Sequence, residues 1–138
     1  MIHVVTGHIC SGKSWYVRQH AAASDVVVDM DRLALALAAE GTEHHDYPQH
    51  VRDIARAARW HAIDEAARLH RRGSFDVWII HAYPAEKDVA IYRRLGASFK
   101  RMECDDQTLR ARAKAERPEA MRRELDRQIS AENTAKAG

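Results

Sequence analysis

The residues with the clearest chemical potential form a glycine-bounded run near the start of the chain. The run fits the pattern of glycine, four free positions and Gly-Lys-Ser, and its members are Gly7, His8, Ile9, Cys10, Ser11, Gly12, Lys13 and Ser14. The glycines allow the backbone to turn so that several N–H groups point at one anion. The spacing predicts a loop that binds the phosphates of a nucleotide, with Lys13 on the terminal phosphates and the Ser14 hydroxyl on Mg²⁺.

The segments on either side of this run have the composition that a phosphate loop needs. Ile2, Val4 and Val5 precede it as a short buried strand, and Trp15 to Ala23 can continue as a helix. A helix N-terminus offers unpaired N–H groups and the positive end of a dipole, and both favour a phosphate. Strand, loop and helix together predict a site for ATP or GTP.

A second polar cluster follows the next predicted strand, Asp25 to Val28. Asp29 and Asp31 place two carboxylates one residue apart at the carboxyl end of that strand. One carboxylate can hold Mg²⁺ through water, and the other can accept a proton from an attacking hydroxyl. The alternative is that Asp31 caps the helix that follows, and the two interpretations are compatible.

The order of these motifs resembles that of the P-loop kinase superfamily, and in particular small phage-type proteins similar to the kinase domain of bacteriophage polynucleotide kinase. The resemblance covers nearly the whole chain: residues 7–14, the sequence Asp-Met-Asp-Arg at 29–32, an apolar third strand and an arginine-bearing lid helix. It implies that Asp31 is the base that activates the acceptor hydroxyl and that Arg32 contacts the acceptor. Shikimate- and gluconate-type kinases carry a similar pair of aspartates, so a small-metabolite acceptor stays open.

The predicted lid helix ends at Glu116-Arg117-Pro118. Leu109 and Arg112 match the spacing of the family, but its further arginine would fall at Glu116, and this chain has Arg117 instead. We expect Arg112 and Arg117 to close over the phosphates and stabilise the transferred group. The alternative is a solvated helix in which Arg112 pairs with Glu116, for well under about 1 kcal/mol.

The chain departs from the family at the end of the third strand, where His81 replaces the usual aspartate. Histidine is a poor ligand for Mg²⁺, which prefers oxygen. Three interpretations stay open. Asp29 alone holds the metal ion through water, or His81 contacts the nucleotide or the acceptor, or the chain has lost its transfer activity. Tyr83, on the loop that follows, is a candidate for stacking on a base.

The remaining segments predict the elements that must position these residues. Helices are expected from Leu33 to Ala39, Val51 to Arg72, Pro84 to Leu95, Thr108 to Pro118 and Glu119 to Ala131, with strands at Val77 to Ile80 and Ser98 to Cys104 and a frayed tail at 133–138. Trp15, Trp60 and Trp78 are predicted to pack in the interior. The histidine-rich loop 42–50 lacks the ligand set of a zinc site and is expected to lie over the acceptor pocket.

The amino-acid composition limits the class of protein to which this chain can belong. The 138 residues, 46% hydrophobic and 30% charged, are typical of one soluble domain spanning 1–138. No run approaches the ~20 apolar residues of a membrane helix, no secretion signal is evident, and the two cysteines suit a reducing cytoplasm. The formal charge of +2 does not indicate nucleic acid, although arginines crowd the last third. Most of these arginines are expected to form surface ion pairs, and some near the lid to meet a polynucleotide.

The sequence therefore predicts an α/β P-loop domain, a three-layer sandwich with a mostly parallel sheet of four or five strands and a helical lid. The predicted function is ATP- and Mg²⁺-dependent phosphoryl transfer to a hydroxyl on a nucleic acid or nucleotide. A small-metabolite or nucleoside kinase is the first alternative. A nucleotide-binding interaction module without transfer activity is the second, and the oligomeric state stays open.

Overall fold

The computed structural model describes residues 1–137. Strands and helices alternate along them: β1 (Ile2–Thr6), α1 (Lys13–His20), β2 (Val26–Asp29), α2 (Met30–Leu37), α3 (Gln49–His70), β3 (Val77–Ile80), α4 (Glu86–Arg94), β4 (Ser98–Arg101), α5 (Asp106–Glu116) and α6 (Glu119–Ala137). The strands form one four-stranded sheet in the order β2-β3-β1-β4, and every neighbouring pair is parallel. The predicted α/β class with a parallel sheet is confirmed.

Helices cover both faces of the sheet. On one face Val17 of α1 packs with Val5, Trp78 and Ile80. On the other, the buried core includes side chains from three elements: Val4 and Ile79 of the sheet, Ile63 of α3 and Tyr92 of α4. This layering is compatible with a three-layer sandwich.

The same layering creates a crevice at the carboxyl edge of the sheet. The chain leaves β1 toward the face covered by α1, and it leaves the neighbouring β3 toward the face covered by α4. Loops that diverge in this way from adjacent parallel strands open a crevice, where ligands of α/β proteins bind. The glycine loop (residues 7–12) and His81 border it.

A third apolar cluster joins the last two helices to the glycine loop. Leu109 and Ala113 of α5 are buried against Leu125 and Ile129 of α6, with Ile9, Cys10 and Cys104 packed at its edge. The predicted lid helix α5 therefore lies beside the loop over which it was expected to close.

The long helix α3 buries a different face from the one that its sequence predicts. In the sequence, apolar residues recur at helical spacing at Val51, Ile54, Ala58, Ala62, Ala66 and Leu69, and this period predicts that they form the buried face. In the structure, Ile54 is 55% exposed and Leu69 is 43% exposed. The buried face instead carries Ala55, Arg59, Ile63, Ala66 and Ala67. Alanines on neighbouring sides make the two stripes similar in hydrophobicity, so the helical period did not distinguish them.

Two further expectations are wrong. Helix α6 continues past Ala131 to Ala137, so the segment expected to fray is helical over its described part. Trp15 is 57% exposed because it lies in the first turn of α1 on the side away from the sheet, whereas Trp78 is buried as expected. Among residues 1–137, no helix has both the length and the apolar composition to span a lipid bilayer.

Candidate functional site

The glycine loop has a backbone that its two glycines make possible. Gly7 has φ 137° and Gly12 has φ 93°, in the region that residues with a side chain rarely adopt. A Cβ atom on Gly7 would lie 2.6 Å from the carbonyl oxygen of Met102. Substitution of Gly7 would therefore strain the backbone and displace the chain that follows β4.

Lys13 begins α1 and folds back across this loop. Its Nζ donates to the carbonyl oxygens of Gly7, at 2.8 Å, and His8, at 2.6 Å. Burial lowers the pKa of Lys13 to about 8, so the ammonium is mostly charged at neutral pH. Ser14, the next residue, is exposed in the first turn of α1. The ammonium of Lys13 and the hydroxyl of Ser14 are thus both supplied by the start of α1, directly after the glycine loop.

The two aspartates after β2 have different roles in the structure. Asp29 is the N-cap of α2, its Oδ1 accepts a hydrogen bond from the backbone N–H of Asp31 at 3.2 Å, and burial raises its pKa. The expectation that Asp31 caps the helix is therefore wrong, because Asp29 holds that position. The side chain of Asp31 is 46% exposed, and its negative charge acts on Lys13 of the glycine loop.

His45 is a site residue that the sequence did not single out. Its Nδ1 lies 3.5 Å from Oδ2 of Asp31, and its side chain is only 9% exposed. Burial lowers the pKa of His45, with the charge of Arg117 acting in the same direction. The loop 42–50 was expected to lie over the acceptor pocket, and its φ of 69° at His45 brings this neutral imidazole against the candidate base.

Both predicted lid arginines lie beside the glycine loop. Nη1 of Arg112 donates to the carbonyl oxygen of Cys10 at 3.1 Å, so the alternative in which Arg112 pairs with Glu116 is wrong. Arg117 follows α5 directly and lies close enough to Lys13 to lower its pKa, after the larger effect of burial. The structure thus brings the three predicted cations to the same loop.

Other predicted residues lie at the edge of this arrangement. His81 interacts through Nδ1 with the Tyr92 hydroxyl at 2.8 Å, and burial, followed by the charge of Arg59, lowers its pKa to about 4. Tyr83 is 47% exposed, with its ring centroid 6.3 Å from that of His8. Arg32 is exposed in the first turn of α2. His81 is therefore a neutral, internally bonded side chain.

Helix α6 reaches the glycine loop through a charged contact that the sequence did not predict. Oε2 of Glu132 lies 2.5 Å from Nε2 of His8 and accepts from Nη2 of Arg101 at 2.8 Å. Lys136 pairs with the other carboxylate oxygen at 2.8 Å. The hydrogen bond from Lys136, with those other partners, lowers the pKa of Glu132 to about 2.

Replacement of Glu132 by Gln is expected to destabilise the protein by about 1–2 kcal/mol at neutral pH, since it removes a carboxylate with several donors. Glu132 titrates at about 2 in the folded chain and at its ordinary pKa of 4.5 in the unfolded chain. Its contribution is therefore complete above the ordinary pKa and is lost as the pH falls toward the folded value. Denaturant unfolding at neutral and acidic pH measures this difference.

Glu40→Gln, at an exposed position, is the control for Glu132→Gln. The free energies of unfolding of the wild-type protein and Glu132→Gln should converge in acid, while Glu40→Gln should match the wild type throughout. A difference between the wild type and Glu132→Gln that stays constant with pH would contradict this role of the charge.

Mg²⁺ is the metal that the sequence pattern implies. Mg²⁺ is commonly bound by one or two protein oxygens together with waters and phosphate oxygens. The Ser14 hydroxyl and the Asp29 carboxylate are oxygen donors of this kind, and the charge of Asp29 acts on Lys13. Among residues 1–137, no group of three or more histidine, cysteine or acidic side chains is arranged to hold a metal ion.

The described residues thus bring a lysine, two carboxylates, a histidine and two arginines to the mouth of one loop. Lys13 experiences the charges of Asp29, Asp31 and Arg117. Comparisons of the chain with protein-family models, with curated proteins and with solved structures find no match.

Proposed function

We propose that this protein is an ATP- and Mg²⁺-dependent phosphotransferase that moves the γ-phosphate to a hydroxyl on a nucleic acid or nucleotide. The observation that supports it most is the convergence of Lys13, Asp31 and Arg117 on the glycine loop. Phosphoryl transfer requires positioned cations around the phosphates and a group that accepts the proton of the acceptor. These residues have the types and the arrangement for both tasks.

The loop and its cations bind the donor. The N–H groups of Gly7 and Ser11 donate to carbonyl oxygens of the protein, and the other backbone N–H groups of the glycine loop hold the β- and γ-phosphates together with the ammonium of Lys13. The ammonium exchanges its carbonyl partners for phosphate oxygens. Arg112 and Arg117 stabilise the charge on the γ-phosphoryl oxygens as the group moves. When bound through Ser14 and the phosphates, Mg²⁺ supplies further neutralisation of that charge.

Asp31 acts on the acceptor. Its half-exposed carboxylate accepts the proton of the acceptor hydroxyl, whose oxygen forms a bond to phosphorus as the bond between the γ-phosphorus and the ADP oxygen breaks. Asp29 supports this step by fixing the start of α2, since it bonds the backbone N–H of Asp31. Proton acceptance and helix capping are thus divided between the two carboxylates.

A nucleotide-binding module without transfer activity is the alternative that one observation favours. His81 bonds Tyr92 and occupies the end of β3, where the P-loop kinases that the sequence resembles carry an aspartate. His81→Asp that gains no turnover, together with Asp31→Asn that changes nothing, would favour this module over a kinase.

Incubation of the purified protein with labelled ATP and Mg²⁺ tests the proposal directly. The acceptors are 5′-hydroxyl oligonucleotides, nucleosides and small polyols, and transfer to the oligonucleotides or nucleosides is expected. A polynucleotide acceptor should also bind with a steep dependence on salt, which a small-metabolite acceptor lacks. Bound ATP with no transfer to any acceptor would rule out the kinase.

We expect His45→Ala to lower the turnover number by about 10-fold, which equals about 1.4 kcal/mol. The neutral His45 imidazole lies against Asp31 and restricts the orientation of its carboxylate. In acid, a protonated His45 would form an ion pair with the Asp31 carboxylate, which would then be less able to accept the proton of the acceptor hydroxyl. The acid limb of the turnover–pH profile should therefore change in the variant.

His50→Ala removes an exposed histidine in the first turn of α3 and is the matched control for His45→Ala, since His44 lies against the His45 ring. It should preserve both the turnover number and the profile. If the two substitutions lower the turnover number and change its pH profile equally, His45 supports the structure of its loop and does not orient Asp31.

A further inference from the structure

Arg59 is a charged residue on the buried face of α3. It is 6% exposed, and its helical neighbours on that face, Ala55 and Ile63, are fully buried. An arginine at such a position loses most of its hydration, and burial lowers its pKa. The guanidinium nevertheless keeps its charge at neutral pH, because its ordinary pKa is far higher.

The charge of Arg59 has no protein partner within residues 1–137. Its Nε is buried without a hydrogen-bond partner, and Arg59 takes part in none of the ion pairs of this part of the chain. The guanidinium carbon lies 5.4 Å from the ring centroid of Trp60. A contact of that kind is worth much less than the cost of burying an unpaired charge. An apolar residue of similar length would therefore suit the isolated protein better.

The surroundings of Arg59 place it near the acceptor side of the crevice. The Trp60 ring that its guanidinium contacts stacks on Tyr92, with 5.5 Å between the ring centroids, and the Tyr92 hydroxyl bonds His81 at the carboxyl end of β3. The charge of Arg59 also acts on His81, and the charge of Asp29, at the carboxyl end of β2, acts on Arg59. β2 and β3 are neighbours in the sheet, with Asp29 paired to Ile80. Asp88 of α4 also attracts the guanidinium, but from beyond ion-pair distance.

His81 and Tyr92 carry no negative charge that would neutralise Arg59, and His81 can supply a further hydrogen-bond donor to a ligand. His81 is neutral at pH 7 and interacts with the Tyr92 hydroxyl through Nδ1. When Tyr92 donates that hydrogen bond, Nε2 of His81 carries the proton and can donate to a ligand. The guanidinium contacts Trp60 and the imidazole bonds Tyr92, and these two rings are stacked on each other. A fork of guanidinium N–H groups together with an imidazole N–H is suited to an oxyanion.

We propose that Arg59 binds an oxyanion, phosphate or carboxylate, carried by the molecule that accepts the phosphoryl group. This inference rests on the proposed function, because it assigns a charge to the acceptor of that reaction. The donor phosphates are assigned to Lys13 and the glycine loop, whereas Arg59 lies on α3, which covers the face of the sheet opposite to α1. The acceptor is thus an anionic alcohol, either a nucleotide with a phosphate away from its free hydroxyl or a hydroxy acid.

The test compares charged and neutral acceptors of the same shape. Deoxyadenosine 3′-monophosphate against deoxyadenosine tests phosphate, and gluconate against sorbitol tests carboxylate. The wild-type protein should prefer the charged member of one pair in kcat/KM, and Arg59→Met should reduce that preference by about 10- to 100-fold. Arg59→Lys, which keeps the charge but loses the fork, should retain only part of it.

Arg71→Met, at an exposed position after α3, is the control and should leave the preference unchanged. Affinity for ATP should be the same in all variants. Arg59→Met should also melt at a higher temperature than the wild type without acceptor, because it removes an unpaired buried charge. An unchanged preference, or a lower melting temperature, would overturn the inference.

Direct binding separates this inference from the kinase itself. If no acceptor is phosphorylated, the proposed function fails, and Arg59 is judged by titrating inorganic phosphate and deoxyadenosine 3′-monophosphate. A non-hydrolysable ATP analogue with Mg²⁺ fills the glycine loop during the titration. Binding by the wild type that Arg59→Met loses would support the oxyanion site, and equal binding or none in both would refute it.

Discussion

Asp31→Asn is expected to lower the turnover number for phosphoryl transfer by about 10²- to 10⁴-fold, or about 3–5 kcal/mol in the barrier. An amide cannot accept the acceptor proton, while its size matches that of the carboxylate. The fold should persist, because the cap of α2 is supplied by Asp29 and the backbone N–H of Asp31 is retained. Steady-state turnover with the best acceptor measures the loss.

The affinity for ATP distinguishes a base from a residue that binds the nucleotide. Asp31→Asn should bind ATP at least as well as the wild type, because it removes a negative charge near Lys13. Asp64→Asn, at an exposed position of α3, is the matched control and should keep full turnover. Wild-type turnover in Asp31→Asn would show that another group takes the proton.

Lys13→Met is expected to reduce kcat/KM by about 10²- to 10³-fold, the effect of removing one preorganised cation from the transferring phosphate. The ammonium already lies at the loop, bonded to the carbonyls of Gly7 and His8, and it exchanges these partners for phosphate oxygens when the nucleotide binds. Loss of this charge should also weaken ATP binding. Titration calorimetry with ATP and Mg²⁺ measures the second effect.

The free energy of unfolding distinguishes loss of a nucleotide-binding charge in Lys13→Met from loss of the fold. Burial lowers the pKa of Lys13, so folding carries a cost for its charge, and Lys13→Met should unfold at no lower denaturant concentration than the wild type. Lys87→Met, at an exposed position of α4, controls for loss of a surface charge. Unchanged ATP affinity in Lys13→Met would remove the glycine loop from the nucleotide site.

Local patterns in the chain predict most of the secondary structure. The apolar run at Val77–Ile80 forms the buried β3, and Asp105, an aspartate just before α5, accepts a hydrogen bond from the backbone N–H of Thr108 as its N-cap. Gly96 has φ 75° just after α4, at the place where the sequence ends that helix. Such features depend on residues a few positions apart, so the sequence alone carries them.

Contacts between side chains that are far apart in the sequence could not be predicted from local patterns. His8 and Glu132 are 124 positions apart, and only the packing of α6 on the glycine loop brings them together. His45 reaches Asp31 because its loop crosses the carboxyl edge of the sheet. Several histidines in that loop were equivalent by composition, and only their surroundings distinguish them.

The amino-acid order alone therefore determines the alternating elements, the glycine loop and the edge at which polar residues gather, because these follow from local propensity and from parallel topology. Tertiary packing decides that Asp29 is the cap, that Asp31 stays half-exposed with His45 beside it, and that Arg59 is buried. The physical reason is that burial and charge pairing depend on neighbours supplied by other elements. No periodicity within one segment contains that information.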